Sequence, residues 1–480
     1  MNEARESTAH AGAGSKLAIV IMAAGKGTRL KSRRPKVLHE VGGKPLLAHV
    51  IAAAGKIVPP SDIVAIVGHQ AERVRAAVAD SGIRFVEQTE QRGTGHAIQT
   101  AAAAIGGYED FIVLSGDAPL VRAETIEGLW QFHRNERAAM TLVSTEPEHA
   151  VPYGRVLRKS PGSCEVVGIV EQNMLTLDQQ PLREINMGMY AFRTAPLLRH
   201  IGELTAGNPQ GELYLTDMAH VLYKAGERVV VFRHQDLDEL LGANTIAEVM
   251  TLDAKLRLAK VRALMDSGVT IFYPETCVID ADVEVGADTV IEPYVQLLGR
   301  TRVGSECRIR SYTVVENCTV GDNTILRQSC VLADSSIGNG ADIGPFARMR
   351  PGCEIGDHVH IGNFVETKKS KLGNGVKAGH LAYMGDSEIG ENVNVGAGVI
   401  TCNYDGIKKS LTRIGANAFV GSDSTLVAPI SIGEGTYIGA GSCITRDVPA
   451  GALAVGRARQ VTKEGWADAR RAKIAAAKNA

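Results

Sequence analysis

A glycine-rich turn near the start of the chain has residue types and spacing that could do chemistry. The segment Ala23-Ala24-Gly25-Lys26-Gly27-Thr28-Arg29 directly follows the aliphatic run LAIVIMA. Glycines after a strand expose backbone N–H groups that can bind an anion, and Arg29 and Lys36 add positive charge nearby. The G-x-x-x-x-G-K-[ST] order of a P-loop is absent. By itself, the segment is either a phosphate-binding loop or an ordinary tight turn.

An acidic residue follows a second aliphatic run. Asp117 comes just after the run DFIVLSG at 110–116, within Ser115-Gly116-Asp117-Ala118-Pro119. Open α/β sheets bind ligands beyond the carboxyl ends of their strands, and a carboxylate there can hold a metal ion. The alternative is that Asp117 only caps a turn.

The second half of the chain contains a candidate base and a group of cations. His380 lies within Lys377-Ala378-Gly379-His380-Leu381, shortly after Lys368, Lys369 and Lys371. A neutral imidazole has an ordinary pKa near ~6.5, which suits it to remove a proton from an attacking group. A single histidine in a repetitive sequence is more often structural, and a run of lysines is often only a solvated face.

Two patterns of secondary structure must position these residues. From residue 17 to about 245, short aliphatic runs such as DIVAIVG at 62–68 alternate with helical stretches, which predicts an α/β domain with a mainly parallel sheet. Residues 245–266 then have apolar side chains at helical spacing, which predicts a connecting helix.

Beyond this helix the sequence repeats every six residues. Aliphatic side chains recur at this spacing, a glycine often follows each one, and a small or β-branched residue comes four positions after it, as in Ile343, Gly344 and Ala347. This is the hexapeptide repeat of a parallel β-helix, in which three hexads form one triangular coil. Breaks in phase near 320–336, 367–372 and 401–413 predict bulges or loops that leave the helix.

Composition excludes several classes of protein. The 480 residues exceed one typical domain, and Lys+Arg 52 against Asp+Glu 53 gives a net charge of −1, so we expect no general attraction to nucleic acid and no membrane insertion. The longest early apolar run, at 17–24, is too short to span a membrane. Eight cysteines without a C-x-x-C pair predict reduced thiols, with a zinc site or disulfides as the alternatives. We expect a cytoplasmic protein.

The order of motifs along the chain resembles a known family. The first turn with Pro35-Lys36 is similar to the signature of sugar-nucleotide pyrophosphorylases, and residues 88–97 are similar to their Q-x-x-x-x-G-T-G-H-A segment. The segments 346–352, 363–369, 377–386, 394–398 and 401–406 extend the similarity to about residues 17–466. The whole order resembles the bacterial bifunctional GlmU family, which joins an N-acetylglucosamine-1-phosphate uridyltransferase to a glucosamine-1-phosphate N-acetyltransferase.

The resemblance implies a domain order and a first active site. It implies a flexible tail at 1–16, a Rossmann-like nucleotidyltransferase domain at 17–244, a linker helix at 245–268, a left-handed parallel β-helix at 269–462 and a C-terminal helix at 463–480. Arg29 and Lys36 would be catalytic, and Asp117 and Asn244 would hold Mg²⁺. Ser115 stands where relatives often have an aromatic residue. The implied UTP and UDP-N-acetylglucosamine contacts are Met22, Ala23, Ala24, Gly25, Lys36, Gln88, Gly93, Thr94, Ser115, Gly116, Asp117, Gly154, Glu171, Asn186 and Asn244.

The same resemblance implies an acetyltransferase site that uses acetyl-CoA, with His380 as the general base. The implied ligands of glucosamine 1-phosphate are Arg350, Lys368, Tyr383 and Asn394. The implied acetyl-CoA contacts are Ala397, Asn403, Tyr404, Ser422, Ala440 and Arg457. Left-handed β-helix acyltransferases assemble as homotrimers with the donor bound between subunits, so a homotrimer is expected.

Two other functions are compatible with parts of this pattern. One is a pyrophosphorylase with a single activity, in which the β-helix serves only for assembly. The other is a non-catalytic subunit with a degenerate sugar-nucleotide site. The motif around His380 argues against the first, and the presence of Lys36, Asp117 and Asn244 argues against the second.

Overall fold

The computed structural model describes residues 17–148 and 153–478, which separate between Leu256 and Arg257 into two compact units. The tail predicted at 1–16 lies outside the described residues. Each unit has buried apolar cores of its own.

The first unit is built on a sheet whose central strands are mostly buried. Its strands are β1 (Leu17–Ala23), β2 (Glu40–Val41), β3 (Lys44–Pro45), β4 (Ile63–Val67), β5 (Arg84–Glu87), β6 (Asp110–Ser115), β7 (Met140–Thr145), β8 (Arg155–Arg158), β9 (Val166–Val170), β10 (Ile185–Arg193) and β11 (Val229–Arg233). The main sheet has the order β11-β7-β10-β6-β1-β4-β5, with β8 paired to β10 and β9.

The direction of the strands brings the predicted site segments to one edge. β1 pairs in parallel with both β4 and β6, so Met22 lies opposite Ser115 and the two following loops start side by side. The main sheet order is mainly parallel, as predicted, and β10 is the exception, because it is antiparallel to both β6 and β7. A parallel return requires a long crossover, usually helical, whereas the chain between β7 and β10 forms the β8–β9 hairpin and comes back in the opposite direction.

Helices accompany the strands of this unit, and one long helix continues into the second. The helices are α1 (Leu46–Ala54), α2 (Ala71–Ala77), α3 (Thr94–Ile105), α4 (Ala123–Asn135), α5 (Thr194–His200), α6 (Met218–Lys224), α7 (Leu237–Leu240) and α8 (Ile246–Asp266). Val249 and Leu252 of α8 are buried in the first unit, and Val261 and Leu264 are buried in the second.

The second unit is a parallel β-helix followed by a terminal helix. Its elements are β12 (Thr270–Ile271), β13 (Val278–Ile279), β14 (Glu284–Val285), β15 (Val290–Ile291), β16 (Gln296–Leu298), β17 (Arg302–Val303), β18 (Arg308–Ile309), β19 (Val314–Glu316), β20 (Thr319–Val320), β21 (Ile325–Leu326), β22 (Val331–Ala333), β23 (Ser336–Ile337), β24 (Asp342–Ile343), β25 (Arg348–Met349), β26 (Glu354–Ile355), β27 (His360–Asn363), β28 (Glu366–Leu372), β29 (Lys377–His380), β30 (Tyr383–Ile389), β31 (Asn394–Val395), β32 (Ile400–Cys402), β33 (Thr412–Ile414), β34 (Phe419–Val420), β35 (Thr425–Val427), β36 (Ile430–Ile432), β37 (Tyr437–Ile438), β38 (Cys443–Ile444), β39 (Leu453–Ala454) and α9 (Trp466–Lys478).

The six-residue repeat stacks its aliphatic residues inside the β-helix. Ile291, Ile309, Leu326 and Ile343 pair in parallel register on successive coils, and all are buried. Small residues at the corners can form hydrogen bonds between coils. For example, the Thr289 hydroxyl donates to the Gly304 carbonyl on the next coil at 2.8 Å. Burial of apolar side chains with satisfied backbone groups therefore explains the repeat.

The predicted breaks in phase have two different causes. In the first break, two pairs of inward aliphatic residues are five positions apart instead of six: Val315 with Val320, and Leu332 with Ile337. The corner of the first pair contains Asn317, and that of the second contains Asp334, each with φ near 50°. The break at 367–372 is similar, so these two regions shorten a corner and hold no projecting loop, contrary to the prediction. Only the break at 401–413 holds a loop, from Asn403 to Leu411.

All eight cysteines lie within the described residues. All eight cysteines are free, and Cys307, Cys318, Cys330 and Cys353 are buried in the β-helix. No helix within the described residues is long and apolar enough to cross a membrane.

Candidate functional site

The glycine-rich turn folds back onto Lys36. It leads from β1 into a short 3-10 helix at Thr28–Leu30, and Lys36 begins another at Lys36–Leu38. Gly27 has φ 61°, and a Cβ there would lie 2.7 Å from the Lys36 Cβ, so only glycine fits. A Cβ at Gly25 would meet nothing within 4 Å, which leaves open space beside the turn. Met22 accepts a hydrogen bond from the Gly116 N–H at 3.0 Å, which joins the turn to the Asp117 loop.

Five predicted residues from distant parts of the sequence converge beside this turn. The Lys36 ammonium forms a salt bridge with Asp117 and donates to Asn244 Oδ1 at 3.0 Å. Arg29 also donates to Asn244 Oδ1, at 2.7 Å. The Ser115 hydroxyl donates to the other Asp117 oxygen, so the serine supports the carboxylate in this chain.

The two predicted metal ligands suit a hard divalent cation. The carboxylate of Asp117 and the amide oxygen of Asn244 already share one cation, the Lys36 ammonium. Mg²⁺ usually takes one or two protein oxygens and fills the rest of its shell with phosphates and water. Within 17–148 and 153–478, no group of three or more His, Cys, Asp or Glu side chains could hold a metal, so a metal here would need that mixed shell.

Gln88, Gly93 and Thr94, three of the predicted UTP and UDP-N-acetylglucosamine contacts, form a compact corner at the start of α3. Gln88 is buried, and its amide donates to the Gly93 carbonyl at 3.1 Å. A Cβ at Gly93 would lie 2.5 Å from the Leu213 carbonyl oxygen, so a side chain is excluded there. Thr94 Oγ1 accepts a hydrogen bond from the Leu215 N–H at 2.9 Å, which holds the segment around Leu215 against the start of α3.

Gly154, Glu171 and Asn186, three further predicted UTP and UDP-N-acetylglucosamine contacts, also lie together. The Asn186 N–H donates to the Gly154 carbonyl at 2.9 Å, and a Cβ at Gly154 would lie 3.5 Å from Glu171 Oε2. Glu171 accepts from the Thr216 hydroxyl at 2.8 Å, and burial raises the pKa of its carboxyl. These three segments form a polar wall that can accept hydrogen bonds from sugar hydroxyls.

In the β-helix, His380 lies in a row of residues on successive coils. His380 pairs with Asn363, and the Gly398 N–H donates to the Leu381 carbonyl, which puts Ala397 one coil further. The Asp423 N–H donates to the Ala397 carbonyl and the Gly441 N–H to the Ser422 carbonyl, both at 2.7 Å, so the row continues through Ser422 to Ala440. We call His380, Ala397, Ser422 and Ala440 the His380 row.

The other predicted acetyl-CoA contacts lie at the end of this row and in the one projecting loop. Arg457 donates to the Ala440 carbonyl at 2.7 Å and so ends the row. Asn403 is buried and donates to Asp386, while Tyr404 is exposed and its hydroxyl donates to the Gly406 carbonyl at 2.6 Å.

The predicted ligands of glucosamine 1-phosphate occupy three neighbouring coils. Arg350 pairs with Glu366 at 3.2 Å, and Glu366 is in register with Tyr383. Tyr383 packs its ring against Gly385, where a Cβ would lie 2.3 Å from the hydroxyl oxygen. Asn394, three residues before Ala397, pairs with Lys377.

One further cation was missed by the sequence reasoning. Lys409, in the projecting loop, lies beside Lys368. The adjacent Lys409 ammonium, together with desolvation and the charge of Arg350, lowers the pKa of Lys368. Two adjacent ammonium groups favour an anion between them. The lysine pair Lys408-Lys409 in the third phase break was the available signal.

Comparisons with known proteins agree with both units. Residues 19–208 match the MobA-like NTP transferase domain, residues 273–344 match the GMPPB C-terminal domain, and residues 334–369 and 411–446 match the bacterial transferase hexapeptide repeat. Together with the strand registers, these matches confirm the predicted fold class, an α/β nucleotidyltransferase domain followed by a left-handed parallel β-helix.

Full-length relatives cover almost the whole chain. The chain is 59% identical to the bifunctional protein GlmU of Koribacter versatilis over 95% of its length and 98% of the relative. It is 49% identical to that of Solibacter usitatus, over 95% and 97%, and 45% identical to that of a Synechococcus strain, over 94% and 99%. Identity of this extent confirms the resemblance found in the motifs, and the chain belongs to the bifunctional GlmU family.

Proposed function

We propose that the chain carries out two consecutive reactions of UDP-N-acetylglucosamine synthesis. At the His380 row it transfers an acetyl group from acetyl-CoA to the amine of glucosamine 1-phosphate. At the Lys36–Asp117–Asn244 cluster it transfers the uridylyl group of UTP to N-acetylglucosamine 1-phosphate and releases pyrophosphate. The observation that carries this proposal is that each unit has its own core and its own cluster of reactive groups. The product would serve as a cytoplasmic precursor of cell-wall and lipopolysaccharide sugars.

In acetyl transfer, His380 would remove a proton from the sugar amine as its nitrogen attacks the thioester carbonyl. The carbon–sulfur bond then breaks, and the CoA thiolate leaves and takes up a proton. Arg350, Lys368 and Lys409 would hold the sugar phosphate through charge-assisted hydrogen bonds. Ala397, Ser422 and Ala440 have small side chains, which leaves room along the row for the extended arm of the donor.

In uridylyl transfer, the phosphate of the sugar attacks the α-phosphorus of UTP, and the bond to the β-phosphate breaks. Arg29 and Lys36 would neutralise the phosphates and keep them in line, which is the main task of a protein in such chemistry. Asp117 and Asn244 would hold Mg²⁺, which when bound would supply positive charge to the phosphates of UTP. Gln88, Gly93 and Thr94 would recognise the base, and Gly154, Glu171 and Asn186 the sugar.

The decisive experiment follows both products in one purified preparation. With glucosamine 1-phosphate, acetyl-CoA, UTP and Mg²⁺, we expect N-acetylglucosamine 1-phosphate and then UDP-N-acetylglucosamine. EDTA should stop uridylyl transfer and leave acetyl transfer unchanged, because a histidine base acting on an amine needs no metal. A parallel reaction supplies N-acetylglucosamine 1-phosphate directly with UTP and Mg²⁺. Uridylyl transfer there without acetylation in the first reaction would support a pyrophosphorylase with a single activity, and no product in either reaction would support a non-catalytic subunit. Equal inhibition of both steps by EDTA would contradict the two-site proposal.

We also propose that the chain forms a homotrimer through the β-helix. Exposed aromatic pairs on this unit support assembly: Tyr294 stacks on Tyr312 and Phe346 on Phe364, and each ring is about half exposed. Apolar stripes of this kind are common at protein interfaces. Because one chain has a mass of 51.0 kDa, light scattering should give about 150 kDa.

The trimer proposal also predicts how activity depends on assembly. Replacement of Tyr312 and Phe364 by Glu should dissociate the trimer and reduce acetyl transfer, while uridylyl transfer continues. Lys371→Glu, at an exposed position of the same β-helix, serves as the control. A mass near 51 kDa for the unaltered chain with full acetyl transfer would contradict the proposal.

A further inference from the structure

A buried carboxylate outside the predicted site connects the two segments that carry Asp117 and Asn244. Glu239 lies in α7, five residues before Asn244, and is only 3% exposed. It accepts hydrogen bonds from the Arg122 N–H and Nε at 2.9 Å and from Arg122 Nη2 at 2.6 Å. Arg122 in turn lies five residues after Asp117.

The charge state of Glu239 agrees with this arrangement. Burial raises the pKa of Glu239, but hydrogen bonds from Arg122 and Thr125 outweigh that effect and leave the pKa below its ordinary value. An ionised carboxylate can only accept hydrogen bonds, so His234 Nε2, at 2.9 Å from the same side chain, carries the proton. Glu239 therefore ties its own helix and the preceding turn to the backbone and side chain of Arg122.

The segments 117–122 and 239–244 also contact each other beside Asp117. The Ala243 N–H donates to the Asp117 carbonyl at 3.3 Å. A Cβ at Gly242 would lie 2.8 Å from Asp117 Oδ2, so glycine lets the backbone approach the carboxylate. The segments 117–122 and 239–244 are thus held at both ends, with the Lys36 contacts to Asp117 and Asn244 beside the glycine.

We propose that Glu239 is a positioning residue that fixes the separation of Asp117 and Asn244 and thereby sets the affinity of the site for a divalent ion. This inference rests on the proposed metal role of those two residues. A ligand pair separated by a loop binds a metal well only when the surrounding contacts hold its geometry, and loss of such outer contacts typically costs about 10–100-fold in metal affinity. Glu239 touches neither substrate nor metal in this proposal and acts only through the two segments.

The test uses Mn²⁺ as the probe and the full chain saturated with UDP-N-acetylglucosamine. Free Mn²⁺ is measured by electron paramagnetic resonance, so the readout does not depend on turnover. Glu239→Gln keeps the size of the side chain and removes its charge, and should weaken Mn²⁺ binding by about 10–100-fold. It should raise the Mg²⁺ concentration needed for half-maximal uridylyl transfer by a similar factor, with a much smaller change in kcat at saturating Mg²⁺.

A control at a second, more exposed carboxylate separates loss of an ion pair from loss of positioning. Glu165 also accepts from two cations, Lys159 at 2.7 Å and Arg228 at 2.6 Å, but lies in the segment before β9. Glu165→Gln should leave Mn²⁺ binding unchanged. Unchanged binding in Glu239→Gln, or equal weakening in both variants, would overturn the proposal. Should Glu239→Gln fail to fold, Arg122→Lys keeps the charge of the half-exposed partner and removes its paired hydrogen bonds, and is expected to weaken Mn²⁺ binding in the same direction.

The same measurement distinguishes this inference from the proposed function. Asp117→Asn removes a proposed metal ligand and should weaken Mn²⁺ binding in any case. If Asp117→Asn weakens binding and Glu239→Gln does not, only the positioning role is wrong. If Asp117→Asn has no effect, the metal assignment itself fails.

Discussion

Replacement of His380 by Asn is expected to lower the rate of acetyl transfer by ~10²–10⁴-fold, the usual contribution of a general base. Asparagine keeps a polar side chain at the start of the His380 row but cannot take a proton from the sugar amine. The Michaelis constants for glucosamine 1-phosphate and acetyl-CoA should change little, because Lys368, Lys409 and the small residues of the row remain. Steady-state measurement of CoA release checks this.

The control for this experiment is a second exposed histidine on the same β-helix. His358 lies at a corner with φ 55°, a conformation that asparagine tolerates well. His358→Asn should leave acetyl transfer unchanged, and both variants should keep uridylyl transfer from supplied N-acetylglucosamine 1-phosphate. Loss of uridylyl transfer in a folded His380→Asn protein would mean that the two reactions share a site.

Replacement of Asp117 by Asn is expected to have the opposite selectivity. The change removes the charge that pairs with Lys36 and that would attract a divalent ion, so uridylyl transfer should fall by ~10²-fold or more. Acetyl transfer should remain, because its residues belong to a unit with a separate core. Release of pyrophosphate and of CoA, measured in parallel, gives both rates.

An exposed aspartate of the same unit provides the control. Asp80 lies in a short 3-10 turn at Ala79–Ser81, and Asp80→Asn should change neither rate. Thermal unfolding of Asp117→Asn, followed by circular dichroism, checks that the first unit is folded. Unaltered uridylyl transfer in this variant would remove Asp117 from the active site and, with it, the proposed metal site.

The two expected results together describe an enzyme whose reactions are chemically independent. Within the described residues, no side chain belongs to both the Lys36–Asp117–Asn244 cluster and the His380 row. The cluster is held by β1, β6 and the segment before α8. The His380 row is held by hydrogen bonds between coils of the β-helix. A fragment that contains only the first unit should therefore keep uridylyl transfer when acetyl transfer is lost.

The sequence alone determined the fold class of both units and marked the candidate site residues that the structure brings together. Strands buried on both faces read as aliphatic runs, and the six-residue repeat leaves an apolar residue inside each face of the β-helix, so both patterns depend on local spacing. The motifs around Lys36, Asp117 and His380 marked reactive residue types: Lys36 begins a 3-10 helix, Asp117 follows β6 and His380 ends β29. What could not be read locally was the direction of β10, because it depends on how a distant hairpin returns the chain.

Contacts between distant residues were decided only by the tertiary structure. Lys36 and Asn244 are 208 residues apart, and Arg122 and Glu239 are 117 apart, so no periodic pattern connects them. The same holds for Lys409, which lies beside Lys368 only because its loop folds back to that residue. Spacing along the chain specifies which face of a strand or helix a side chain occupies. The packing of the whole unit specifies which charged side chains come into contact, and those contacts determine which reactions each candidate site can support.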